Sequence, residues 1–229
     1  MRSSLIVFIF YCFSAGAQSN RVELQLKTDD KISVHGFSYW KELSINSKDT
    51  SFTHLLHSQS LDVIANLKQG TYTVTLSSVF NTRESKKVTL QKKSTLLKFT
   101  NLAGVYHSTA GDLSGKIKTN DTLYIIRSDN AGANNEKIGI AKTADGFTAL
   151  LYEGLTNTVF NYMQCPQDLY KYVTNFEASL KKTNAPKAET AAGKAVYTIE
   201  LNKETGSFIL LNDKEGLNKL KAVLFAVRK

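Results

Sequence analysis

Leu67-Lys68-Gln69-Gly70-Thr71-Tyr72-Thr73-Val74-Thr75-Leu76, continued by Lys86-Lys87-Val88-Thr89-Leu90, is the stretch that decides the fold class of this chain. Tyr72, Val74 and Leu76 fall on one face of an extended segment and Thr71, Thr73 and Thr75 on the other, the period of a half-buried strand. Gly70 supplies the turn that launches it. Val88 and Leu90 repeat the alternation. After a turn at Gln91-Lys92-Lys93-Ser94, Leu97 and Phe99 repeat it again, which predicts a three-stranded antiparallel meander. Working outward, Val22, Leu24 and Leu26 alternate in the same way. Ile32 and Val34 lead into the aromatic cluster Phe37, Tyr39 and Trp40, and Phe52 to Leu56 and Leu61 to Ile64 supply two more short segments. Turn signals about every ten residues predict a sandwich of about seven strands over residues 19–102.

Leu67, Gly70, Tyr72 and Val74, followed about a dozen residues later by Val88 and Leu90, resemble the carboxypeptidase-regulatory-like and PEGA type of small β-sandwich. The resemblance covers residues 61–100. It implies a scaffold or docking module of bacterial envelope proteins without catalytic residues. The chain departs from that family's pattern upstream, where its Gly-x-Val opening is missing, and downstream, where Phe80-Asn81 replaces an aromatic-glycine pair.

Residues 1–17 read as an export signal. Arg2 gives the positive start, Leu5 to Phe13 a short apolar core, and Ala15-Gly16-Ala17 a small-x-small cleavage site. Nine apolar residues are too few to span a bilayer, and no later run is longer, so the expectation is a secreted or periplasmic protein without a membrane span. Cys12 leaves with the signal and Cys165 remains, which excludes an internal disulfide and places the burden of stability on the hydrophobic core. The formal net charge of +9 is spread over lysine pairs such as Lys86-Lys87, Lys92-Lys93 and Lys181-Lys182. Such pairs suit strand edges and helix ends, where lysine blunts edge pairing and complements the helix dipole.

Composition changes after Asn101-Leu102, and residues 103–229 read as an α+β domain. Tyr106, Leu113, Ile117, Leu123, Ile125 and Ile126 suggest strands, and Asp145-Gly146 marks a hairpin between Ile138–Ala141 and Phe147–Tyr152. Pro166 suits a first helical position, with Leu169, Tyr172, Val173, Phe176 and Leu180 at helical spacing behind it. Residues 183–194 read as a loop. Val196–Leu201 and Ser207–Leu211 form a second hairpin around Lys203-Glu204-Thr205-Gly206, and Asn212 or Asp213 caps a last helix with Leu217, Leu220, Leu224 and Val227 on one face. The fold class is therefore mainly β: an N-terminal seven-strand β-sandwich, then an antiparallel sheet with two helices on one side.

Each candidate for chemistry is incomplete. Cys165 before Pro166 would sit at a helix N-terminus, where a thiol is activated, and His107 is the histidine that a secreted cysteine-dependent hydrolase would pair with it. Gly111-Asp112-Leu113-Ser114-Gly115-Lys116 lacks the spacing of a phosphate loop or a serine-hydrolase elbow and reads as a turn. Asp129 to Glu136 is rich in oxygen ligands, but Ala131 and Ala133 stand where a calcium loop needs donors. His54 and His57 point to opposite faces of a strand, so no metal site is expected. No cofactor is expected either. Trp40 is expected in the core, and with Tyr39 it is the candidate sugar-stacking surface of the sandwich. Nucleic acid lacks a recognition element here. The expected function is a non-catalytic exported binding or docking protein of the cell envelope whose partner is an envelope protein or an anionic glycan, with the oligomeric state left open.

Overall fold

In the computed structural model the described residues are 21–28, 40–56, 61–99, 106–129, 135–186 and 193–226. The chain divides into two compact units, one within residues 1–29, 43–76 and 83–100, the other within 30–42, 77–82 and 101–229. The export signal at 1–17, the segment Ile32 to Tyr39, His57 and Val227 lie outside the described residues.

Seven strands build the N-terminal sandwich: β1 (Arg21–Thr28), β2 (Trp40–Asn46), β3 (Ser51–Leu55), β4 (Leu61–Lys68), β5 (Gly70–Ser78), β6 (Arg83–Leu90) and β7 (Ser94–Phe99). They form one sheet in the order β4-β1-β7 and another in the order β3-β2-β5-β6. The alternation in β5 holds as read, with Tyr72, Val74 and Leu76 buried and the threonines between them outside. Val22, Leu24 and Leu26 of β1, Leu43 and Ile45 of β2, and Leu90 and Phe99 complete the apolar interior. At about 1.5–3 kcal/mol for each large side chain fully buried, this interior is what offsets chain entropy in the absence of a disulfide.

The meander is corrected in one respect. β5 and β6 neighbour one another, with Thr71 opposite Thr89 and Thr75 opposite Ser85 as an antiparallel pair requires, but β7 leaves for the other sheet. There it runs parallel to β1, with Leu24 opposite Thr95 and Leu26 opposite Leu97. The Glu23 amide donates to the Lys93 carbonyl at 2.9 Å and fixes this entry. Period-two patterning places Leu97 and Phe99 on one face and says nothing about which edge they join.

The second unit is a seven-stranded sheet in the order β12-β11-β10-β9-β13-β14-β8. Its strands are β8 (His107–Ser108), β9 (Thr122–Asp129), β10 (Glu136–Lys142), β11 (Gly146–Tyr152), β12 (Val159–Pro166), β13 (Lys194–Leu201) and β14 (Glu204–Leu211). All neighbours are antiparallel except β14 and β8. Helices α1 (Tyr170–Thr183) and α2 (Asn218–Leu224) share one core with one face of this sheet. Val173, Leu180, Leu217, Leu220 and Leu224 meet Leu123, Ile125, Ile138, Ile140, Phe147 and Ile199 there. The helical spacing of the first set and the alternation of the second are the two periods that bring these faces together.

Four local expectations change. Pro166 ends β12 in an extended conformation (φ −60°, ψ 154°), a 3-10 turn follows at Gln167–Leu169, and α1 begins only at Tyr170. Pairing of Cys165 with Phe147 and of Pro166 with Gly146 holds the chain in the sheet beyond the point where proline would permit a helix. The second hairpin turns at Asn202-Lys203, with φ of 52° and 72°, two residues earlier than its glycine suggests. Two left-handed residues match the twist of the flanking strands, and Asn tolerates that region well. Leu113 and Ile117 flank a 3-10 turn at Ser114–Lys116 instead of lying on strands. Asp213, expected to cap the last helix, lies five residues before α2 and pairs with Arg127.

Candidate functional site

Cys165 is buried, and its sulfur lies 3.2 Å from the Leu224 carbonyl and 3.6 Å from that of Met163. It is not at a helix N-terminus, because the 3-10 turn and Pro166 intervene. His107 stands in β8, at the opposite end of the sheet order from β12. Six inter-strand steps of about 4.8 Å separate the two strands by roughly 29 Å, so the structure does not bring this cysteine and histidine together. A depression of about 590 Å³ opens beside the cysteine, lined by Thr143, Asp145, Gly146, Gln164, Cys165 and Pro166, with no histidine in its lining. A thiol-directed electrophile at neutral pH is expected to label Cys165 slowly in the folded protein and quickly after denaturation. Fast native labelling that His107→Ala abolishes would contradict this reading.

The other candidates from the sequence resolve in the same direction. Trp40 is buried and offers no ring face to a sugar, while Tyr39 lies outside the described residues. The Gly111–Lys116 segment is held by Glu177 of α1, whose carboxylate accepts the amides of Leu113 and Ser114 at 3.0 and 2.8 Å. Those amides are therefore engaged internally. Residues 130–134 lie outside the described residues, and among the described residues no group of three or more His, Cys, Asp or Glu is placed to hold a metal. No helix among them is long and apolar enough to cross a membrane.

Two polar clusters have no counterpart in the sequence reading. On the sheet face opposite the helices, Lys137 is 0% exposed. Its ammonium donates to Asn157 Oδ1 at 2.6 Å and the Thr156 carbonyl at 3.1 Å and lies 4.1 Å from the Tyr152 ring centre. Asn157 is held in turn by Glu42, which accepts its amide at 2.8 Å, and by the Ser78 carbonyl, also at 2.8 Å. Gly139 makes room for this cage, because a Cβ there would meet the Tyr152 ring at 3.0 Å. Burial pushes the Lys137 amine down to about 7 and the nearby Glu200 carboxyl up to about 7. A shifted lysine suits covalent catalysis when substrate can reach it, and this one is sealed.

The second cluster joins β9 and β10 to the segment before α2. Arg127 Nε donates to Asp213 Oδ2 at 2.7 Å, Tyr197 donates to the same oxygen at 2.6 Å, and Arg127 Nη1 lies 3.8 Å from Glu136. Lys221 also donates to Glu136. Burial alone would raise the Asp213 carboxyl, but the bonds from Tyr197 and Arg127 outweigh it and hold Asp213 below its ordinary range. Gly216, at φ +57°, is required here, because a Cβ would stand 2.7 Å from a Glu136 oxygen. The shallow depression of about 460 Å³ above the cluster is thus floored by charges already matched to one another.

What faces outward is β12. It ends the sheet, with β11 on one side and, among the described residues, no strand on the other. Val159, Phe160, Asn161 and Tyr162 are all exposed, Phe160 at 76% and Tyr162 at 67%. Val-Phe-Asn-Tyr-Met-Gln-Cys-Pro contains no ionisable carboxylate or amine, and Pro166 comes only at its end. An edge strand with free backbone groups, aromatic side chains and no charged gatekeeper is a template for another strand. Its first four residues, exposed on both faces, leave no buried period for the sequence to show.

No protein-family model matches the chain, and no curated protein matches it. Among solved structures, the Bacillus anthracis TIE protein is similar at 12% identity with a TM-score of 0.29, covering 84% of this chain and 32% of that one. This chain thus spans about a third of its length. A DUF3823 family protein from Bacteroides ovatus is similar at 10% identity with a TM-score of 0.30, covering 84% of this chain and 100% of that one.

Proposed function

We propose that this chain is an exported, non-catalytic docking protein of the cell envelope that takes up a protein partner along β12. The observation that carries the reading is the uncharged edge strand with Phe160 and Tyr162 in solvent. Main-chain hydrogen bonds along such an edge supply affinity, and the alternating side chains supply selectivity. The export signal read at residues 1–17 and the resemblance of residues 61–100 to docking sandwiches support the location. The burial of Cys165 far from His107, and of Lys137 away from solvent, supports a non-catalytic role.

The test is crosslinked affinity capture from the envelope fraction of the producing cells, with the wild type beside Tyr162→Lys. A partner held by the wild type at low and high salt and lost from the variant is the expected result, since an uncharged edge is little affected by screening. Capture that is unchanged in Tyr162→Lys, or turnover of a peptide or glycan with no partner retained, would sink the proposal.

A further inference from the structure

We infer that the Lys137 side chain joins covalently to that of Asn157, its Nζ displacing the carboxamide nitrogen to leave an amide crosslink between β10 and the segment before β12. The inference does not rest on the docking reading of β12. It starts from placement. Lys137 Nζ donates to Asn157 Oδ1 at 2.6 Å. The carboxamide carbon lies one C=O bond of about 1.2 Å beyond that oxygen, so the nitrogen is within about 4 Å of the carbon it would attack. Reacting atoms in a near-attack arrangement stand about 3–3.5 Å apart, and a small turn of the carboxamide closes the difference. Its present orientation is fixed from both ends: Nδ2 donates to the Ser78 carbonyl at 2.8 Å, while the ammonium, which only donates, takes Oδ1.

A permanently charged amine in this position would form only an ion cage. Burial brings the Lys137 amine down to about 7, so near neutral pH much of it is the free base that can attack. Lys137 is 0% exposed, and the Tyr152 and Tyr124 ring centres lie 4.1 and 5.3 Å from Nζ. Water that would hydrate the amine and compete with it is thereby kept away. Two carboxylates act on this ammonium, those of Glu42 and Glu200. Glu42 is the one fixed at the reaction partner, since its Oε1 accepts the Asn157 backbone amide at 2.8 Å.

The step balances without a further reagent. As the Nζ–Cγ bond forms, Glu42 takes one proton from Nζ; as the Cγ–Nδ2 bond breaks, it returns that proton to Nδ2, and ammonia leaves. Nothing is oxidised or reduced. The product ties residue 137 to residue 157 and so closes the β10–β11 hairpin at the base of β12. A pull on β12 is then carried into β10 by a covalent bond. A crosslinked Nζ has no proton to titrate, so the pH dependence that Lys137 gives to stability belongs to the unreacted chain.

Trypsin digestion and mass spectrometry of the folded protein, as purified and after incubation at mildly alkaline pH, read the bond directly. In the wild type, residues 128–142 are expected to stay uncut at Lys137 and to be joined to residues 143–171, with a combined mass short of the two peptides by one ammonia. Fragmentation should place the branch at Lys137 and Asn157. Lys137→Met and Asn157→Ala are expected to remove it entirely, and Glu42→Gln to leave most of the chain unjoined, with circular dichroism establishing that each variant is folded. Wild-type digests that contain only the separate peptides 128–137 and 143–171 would overturn the inference, as would a branch that persists in Asn157→Ala. A Glu42→Gln chain joined as fully as the wild type would overturn the proton relay.

Discussion

Arg127→Ala is expected to cost about 3 kcal/mol of folding stability, the low end of the range for removing one partner from a buried ion pair, because Asp213 and Glu136 are half-buried. Arg127 is 8% exposed, and its guanidinium is the group that joins Asp213, before α2, to Glu136 on β10. Without it Asp213 keeps the Tyr197 hydroxyl and the Gly216 amide but is left a half-buried carboxylate without its cation. At about 2–4 °C per kcal/mol for a chain of this size, the melting temperature should fall by roughly 10 °C. Arg127→Lys should recover little of this, since one ammonium cannot hold both the Asp213 carboxylate and its carbonyl as Nε and Nη2 do. Thermal denaturation followed by circular dichroism measures the effect. A loss within a degree or two for Arg127→Ala would mean that the cluster contributes no net stability.

The second large effect is a stability minimum near neutral pH. Glu200, pushed up to about 7 by burial from an ordinary 4.5, keeps a proton in the folded state that the unfolded chain releases. The folded state therefore binds more protons between those values, and stability, complete below pH 4.5, falls as pH rises through 7. Lys137 has the opposite sign. Pushed down by burial from 10.5 to about 7, it loses its proton in the folded state while the unfolded chain retains one. Its burial cost, complete below pH 7, is relieved as pH rises toward 10.5. Each limb is worth about 3–5 kcal/mol in full, since a tenfold change in proton affinity corresponds to about 1.36 kcal/mol. Melting temperature should fall from pH 5 to 7 and rise from pH 7 to 9.5. Glu200→Gln should flatten the acidic limb and Lys137→Met the alkaline one; a profile unchanged in both variants would remove the cluster as its cause.

Both effects come from residues whose chemistry is plain in the sequence and whose burial is not. Lys137 alternates with Ile138 and Gly139 in a way that places it opposite the isoleucines, the ordinary position of a solvated lysine. Nothing local announces that the second face of this sheet is covered. The alternation of Tyr72, Val74 and Leu76 and the helical spacing of Val173 and Leu180 were legible because one face of each element is buried and the period records it. The departure of β7 to the other sheet is a long-range choice made by pairing with β1, which no local period encodes. β12 is illegible for the complementary reason: Val159 to Tyr162 are exposed on both faces, and its register shifts there, so no alternation is left to read. The candidate site was thus the least legible strand in the second half, while the legible residues, Cys165 and Trp40, proved to be interior.

The central claim, that β12 is where this protein meets its partners, is tested most directly by a photoreactive phenylalanine analogue placed at Phe160 in the producing cells, with the exposed Lys87 of β6 as the control position. Irradiation is expected to give discrete adducts to a partner protein from position 160, and none from position 87. Adducts of equal yield from both positions, or none from position 160, would contradict it.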